Sequence, residues 1–209
     1  LSKGHGAPIL FQVLAERNFF DSDLLKTAGE DGSYFHEHPP KPGYIPGIEA
    51  ATGSLGHGFP IALGMALGAK INNKSYRTYA LLSDGECNEG SIWESAMLAA
   101  SNSLFNLTVF IDYNKWQATG RSNEVLAIEP LKEKWKSFGW ETVEVDGHDI
   151  ESLMKVFSEK NNKDKPKMIV AKTIKGKGFS FSENSNDWHH KILTKSQYEI
   201  ALNELKNNQ

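Results

Sequence analysis

A chain of 209 residues, 39% hydrophobic and 23% charged, fits one globular domain of ordinary size with its own core. Its 23 Lys and Arg nearly balance 26 Asp and Glu, which argues against nucleic acid or an anionic membrane as the main partner. No apolar run approaches the roughly 20 residues of a membrane span and no signal peptide is visible, while a single cysteine, Cys87, leaves no internal disulfide and fits a reduced, cytoplasmic setting.

The chain opens on "LSKGHGAP", with neither Met nor lead-in, so an incomplete N-terminus is expected. Residues 7–17 read as a helix, with Leu10 and Leu14 at helical spacing. Asp21 and Ser22 cap a short helix through Lys26. Residues 29–48 form a long loop holding four prolines, and a loop of that length inside a compact domain is usually functional. A Gly-rich turn then leads into an apolar helix whose Gly64, Ala66, Gly68 and Ala69 favour close packing on a sheet. Residues 78–82 lack polar alternation and predict a strand buried on both faces. Residues 90–101 are helical, and 107–111 form a second buried strand. Pro130 opens a helix through Phe138. Residues 142–145 are a third strand, Asp149 caps a helix running to Lys160, and 168–173 are a fourth strand. "KGKGFSF" is a loop, 195–206 a last helix, and the tail from 206 is expected to fray. Strands alternating with helices imply an α/β fold, an open, mostly parallel sheet flanked by helices.

The most chemically suggestive stretch is "LLSDGECNEGSIWESA", residues 81–96. In open parallel sheets ligands sit outside the carboxyl ends of the strands, near a switch point. Asp84 lies at one such end and Asn114, thirty positions later, at the next. Adjacent parallel strands bring the two together, and a carboxylate, an amide oxygen and backbone carbonyls suit Mg2+ when a diphosphate completes the octahedron. Gly85, without Cβ, lets backbone approach the phosphates, and a helix starting near Gly90 adds its dipole. The alternative is structural: Asp-Gly is a common turn and an acidic residue before a helix a common cap. A calcium loop matches at Asp84, Glu86 and Asn88 but fails at Glu89 and Ser95.

"SDGECNEGSIWESA" followed by "NLTVFIDYNKWQATG" resembles the thiamine diphosphate motif of transketolases, Gly-Asp-Gly with Asn about two dozen residues on. "LSKGHGAP" resembles that family's Ser-x-Gly-His segment. "HEHPPKPGYIPGIEAATGSLGHG" is similar to its Gly-His-Pro loop and its Thr-Gly-Pro-Leu-Gly-Gln-Gly turn. "VDGHD", "KTIKGKG" and "DWHH" follow in order. The likeness covers nearly the whole chain, residues 1–209 reading as one diphosphate-binding domain. It is strongest to the N-terminal subunit of a split transketolase.

This resemblance implies a set of roles. Asp84, Asn114 and the backbone carbonyl of Trp116 hold Mg2+ or another divalent cation. Gly53, Leu55 and Gly85 present backbone to thiamine diphosphate. His5, His38 and His189 face the diphosphate or the donor sugar, where imidazole can take and return protons near neutral pH. Glu89 joins a hydrogen-bond network across a subunit interface, with helix capping as the alternative. His57, standing where larger enzymes carry Gln, either bonds near the cofactor or merely starts a helix. Departures are Ser83 for the first glycine of the metal motif and His190 for the glycine after His189. Zinc on His36 and His38, or on His189 and His190, lacks a thiolate or carboxylate at ligand spacing.

The implied activity is transfer of a two-carbon ketol unit from a ketose, or ketose phosphate, to an aldose. In the family the glutamate that activates the cofactor comes from a pyrimidine-binding domain, which nothing in this sequence resembles. A partner carrying that domain, a C-terminal transketolase subunit, is therefore expected, and with it a heterotetramer. Two relatives of the same chemistry compete: a 2-oxo acid dehydrogenase α subunit would not carry "SKGHG" or "TGSLGHG", and a deoxyxylulose phosphate synthase differs in the central loop. A binding module of the same fold would have lost Asp84 or Asn114.

Overall fold

The computed structural model describes residues 1–159 and 161–207. Its elements, in chain order, are α1 (Ala7–Glu16), α2 (Gly58–Ile71), β1 (Thr78–Ser83), α3 (Gly90–Ser101), β2 (Leu107–Tyr113), β3 (Trp116–Gln117), β4 (Gly120–Arg121), α4 (Ser122–Val125), α5 (Leu131–Ser137), β5 (Glu141–Asp146), α6 (Ile150–Ser158), β6 (Lys167–Lys172) and α7 (Lys195–Asn207). Strands β1, β2, β6 and β5 pair in that order, all parallel, and β3 and β4 form a small antiparallel hairpin. The alternating α/β reading therefore holds. The far end expected for α6, Lys160, and the end of the tail, residues 208–209, lie outside the described residues.

Period-two alternation divides the sheet between two cores. Ala80 and Leu82 of β1, Val109 and Ile111 of β2, and Met168 and Val170 of β6 meet α2, α3 and α5 on one face. Trp135 and Trp140 fill that layer edge to face, 4.7 Å between centroids, and the Trp140 indole donates to the Ala96 carbonyl at 2.8 Å. The other face is thinner: Phe110, Val143, Val145, Ile169 and Ala171 meet Val156 and Leu153 of α6. A third cluster lies under α1, where Phe11 and Leu14 pack on Phe35, Ile45 and Ile48 of the proline-rich loop. That loop has no regular structure yet is pinned by these apolar anchors, which holds His38 in a fixed neighbourhood.

Two packing expectations need correction. β1 is not buried on both faces: Tyr79 and Leu81 remain 38% and 40% exposed, because β1 lies at the edge of the sheet and α6 reaches it only through Phe157, stacked on Tyr79 at 4.7 Å. Of the small residues on α2, Ala66 and Ala69 are fully buried, but Gly64 faces open space and Gly68 nears only the Tyr76 hydroxyl. Only half of that stripe lies on the buried side. Asp21 and Asp149 cap as expected, accepting from the amides of Asp23 and Ser152.

Candidate functional site

The site forms at the carboxyl ends of β1, β2 and β6. The β1/β2 register pairs Ser83 with Asp112, so the two turns that follow, at 84–88 and 114–116, leave the sheet side by side. Asp84 is fully buried there. One carboxylate oxygen accepts from the Gly85 amide at 2.8 Å, and the other from the Lys115 amide and the Ser122 hydroxyl, each at 2.8 Å. Burial pushes the Asp84 carboxyl up, opposed by those three donors. Asn114 stands beside it, its Oδ1 accepting from the Trp116 amide at 2.9 Å. Lys115, between them, adopts a left-handed φ of 67°, which turns the chain sharply toward Asp84.

The expected approach of α3's dipole is modified. The first amides after β1 belong to a single 3-10 turn, Gly85–Asn88, and α3 begins only beyond it. Ser83, in place of a glycine, accepts the Glu86 amide at 3.1 Å and so stabilises that turn. A Cβ at Gly85 would lie 2.9 Å from Cγ of Gln117, so any larger residue would collide with the chain packed over the turn.

The calcium pattern does not assemble. Glu86 is buried and its Oε1 is taken by the Ser2 hydroxyl at 2.5 Å and the Gly56 amide at 2.9 Å. This carboxylate instead clamps residues 2 and 56 together. Gly4 packs hard on the 52–56 turn, where a Cβ would come within 2.7 Å of the Gly53 nitrogen. A Cβ on Gly53 would in turn stand 3.3 Å from the His38 ring. The segment around His5, the 52–56 turn with Gly53 and Leu55, and His38 are thus brought into one wall.

His189 completes the group: its ring lies 5.6 Å from that of His5. Loss of solvation against this wall, then Lys3, His189, Lys175 and His38, hold His5 down at about 4, although the residue keeps an exposed side. Burial and then Lys175 also lower His189, whose Nδ1 lies 3.3 Å from the Lys175 ammonium. His190, in the position of the missing glycine, points outward with its ring edge-on to His189 at 4.6 Å. His57 and Glu89 are not drawn into the wall. His57 is an exposed N-cap of α2 without a side-chain cap bond, and Glu89 is an exposed N-cap of α3, likewise without one. Cys87 is buried with its thiol pushed well up by burial, as befits a packing residue.

Lys3, Asp112 and Lys175 belong to this site as well, although no local pattern marks them as functional. Lys3 Nζ lies 2.5 Å from Asp112 Oδ2, a contact across 109 residues. Burial and then the charge of Lys3 lower Lys175. Their only signal in the sequence is motif context, "LSKGH" and "KTIKGKG".

The donor set can be tested against a hard divalent ion. A carboxylate offers about four lone-pair positions, and three are used on Asp84. Asn114 Oδ1 has one amide partner and a second lone pair free. Among the described residues no cluster of three His, Cys, Asp or Glu side chains could hold a metal, which leaves the zinc alternatives without a ligand set. One carboxylate with amide and carbonyl oxygens needs no such cluster when phosphate oxygens supply the rest. The residues present fit a divalent cation with a diphosphate, flanked by two ammonium groups and neutral imidazoles.

Comparison with known proteins agrees with this chemistry. A family described as transketolase, thiamine diphosphate binding domain, matches residues 1–206. One of the two subunits of the apulose-4-phosphate transketolase of Phocaeicola vulgatus is 40% identical over 207 residues, spanning 98% of this chain and 73% of that protein. The 6-deoxy-6-sulfo-D-fructose transketolase subunit SqwG of a Clostridium species is 41% identical, spanning 99% and 75%. The crystal structure of Campylobacter jejuni transketolase superposes with a TM-score of 0.91 at 28% identity, covering 98% of this chain. The chain spans only 33% of that longer enzyme.

Proposed function

The chain belongs to the transketolase family, in its thiamine diphosphate-binding part, and we propose that it serves as the N-terminal subunit of a two-chain transketolase. It acts in the cytoplasm, in a heterotetramer with a pyrimidine-binding subunit, and moves a two-carbon ketol unit from a ketose or its phosphate to an aldose. Two relatives named as transketolase subunits, matched over nearly the whole chain, support the division of labour. The observation that carries the proposal is the junction of the β1 and β2 turns, where Asp84 binds the amide next to Asn114.

Asp84, Asn114 and the Trp116 carbonyl hold Mg2+ or a similar ion, and Gly53, Leu55 and Gly85 offer backbone to the diphosphate. Thiamine diphosphate, when bound, supplies a nucleophilic ring carbon and an electron sink that permit cleavage between C2 and C3 of a ketose. Lys3 and Lys175 set a positive field around the phosphates. His5 and His189, uncharged at neutral pH, donate hydrogen bonds without adding charge. His38, on the opposite side of the Gly53 turn, is placed to take a proton from a sugar hydroxyl and return it. Glu89, exposed at the start of α3, is free to meet the partner chain, and His57 contributes as the residue that starts α2.

The test mixes this chain with its partner and follows two-carbon transfer from a ketose phosphate to an aldose phosphate. Transfer by the pair and none by either chain alone supports the proposal. His38→Ala should slow donor cleavage more than it weakens cofactor binding, and loss of cofactor affinity alone would refute that role.

A further inference from the structure

Asp112 is the one carboxylate at the mouth of the sheet to which neither the metal nor the cofactor is assigned. It lies near the end of the inner strand β2, two residues before Asn114. Three donors from three separate parts of the chain converge on it. Lys3 Nζ reaches Oδ2 at 2.5 Å, Asn114 Nδ2 reaches the same oxygen at 3.3 Å, and the Thr173 hydroxyl, just past β6, bonds Oδ1. Burial works against its ionisation, but Lys3 and the other donors outweigh it and keep the carboxyl below the usual range.

The contact with Asn114 has a directional consequence. An amide side chain has a donor end and an acceptor end, and an ionised carboxylate can only accept. With Asp112 on one side, the NH2 end of Asn114 is drawn toward it. The oxygen then turns the other way, to the Trp116 amide at 2.9 Å and the turn that carries Asp84. The flipped amide would set oxygen against carboxylate oxygen and NH2 against N–H. The same carboxylate ties down Lys3, whose segment continues into His5.

We infer that Asp112 is a positioning residue, one that fixes the amide of Asn114 with its oxygen toward the divalent cation. This rests on the metal-site reading given above, and the experiment separates the two. The paired complex is titrated with Mn2+ in the presence of thiamine diphosphate, with binding read by electron paramagnetic resonance and the thermal midpoint recorded on the same samples. Three variants are compared: Asp84→Ala, Asp112→Leu and Asp112→Asn.

Asp112→Leu keeps the volume and removes every acceptor, and it should raise the Mn2+ dissociation constant about 10- to 100-fold, as loss of a partner behind a metal ligand does. Excess Mn2+ should then recover cofactor binding, which it would not do for a merely structural defect. Asp112→Asn can place its oxygen toward Lys3 and Asn114 and its NH2 toward the Thr173 hydroxyl, so it should restore affinity to within about threefold of wild type. Asp112→Ala takes the place of the Leu variant if that complex does not assemble. Wild-type Mn2+ affinity in Asp112→Leu, or a loss that excess Mn2+ leaves uncorrected, overturns the inference. If Asp84→Ala still abolishes binding in that case, the metal site stands and only the role of Asp112 falls. If Asp84→Ala also binds normally, both fall.

Discussion

The Ser122 hydroxyl donates to Asp84 Oδ2 at 2.8 Å, joining the end of β1 to the first residue of α4. Both residues are buried, and the bond turns the carboxylate so that its remaining lone pair faces away from the Lys115 amide and Ser122. Orientation of this kind matters for metal affinity as well as for fold. Ser122→Ala should therefore leave the sheet intact and weaken Mg2+ binding roughly 10- to 100-fold. Calorimetry of the paired complex with thiamine diphosphate, at a series of Mg2+ concentrations, measures this. Unchanged metal dependence would mean that the hydroxyl only packs.

His5 yields a pH prediction with a definite sign. Its ring is held at about 4 in the folded chain against an ordinary value near 6.5, so the unfolded chain binds the extra proton first as pH falls. The stability linked to the neutral ring is complete above about 6.5 and is lost as pH falls toward 4. The cofactor-free complex should thus lose more thermal stability than its His5→Asn variant between neutral pH and pH near 5. Exposure of the residue reduces the size of the effect but not its direction. Parallel curves for the two proteins would contradict it.

Gly4 and Gly6 provide a matched pair. A Cβ on Gly4 would come within 2.7 Å of backbone at Gly53, whereas one on Gly6 would meet only Leu1 methyls at 3.6 Å. Gly4→Ala should move the His5 segment off the 52–56 turn, lowering cofactor affinity and kcat/KM together by at least about tenfold, since small misplacements at reacting groups cost that much or more. Gly6→Ala should differ little from wild type. Steady-state kinetics with both variants decides the matter, and equal behaviour would show that the close approach is not needed.

Much of the fold was legible because buried parallel strands and capped helices leave local signals: the apolar runs of β1, β2 and β6, and the Asp at each cap. The edge position of β1 was not, since strand order depends on long-range pairing and no local pattern records it. Likewise Gly64 and Ala66 look alike as small residues, and only the rotation of α2 against the sheet tells which one packs. In the site, Asp84 and Asn114 stood out because each follows a strand. Lys3, Asp112 and Thr173 did not, since each is ordinary in its local context and acquires a role only when distant chain segments converge.

The proposed catalysis requires adjacent strand ends to lend oxygens to one divalent ion that anchors the cofactor's diphosphate. Calorimetric titration of the paired complex with thiamine diphosphate, with and without Mg2+, decides this for the wild type, Asp84→Ala and Asn114→Ala. Tight binding that requires Mg2+ is expected in the wild type, with loss of that requirement and of most of the affinity in both variants. Tight wild-type binding that ignores Mg2+, or variants that bind as well as the parent, would contradict it.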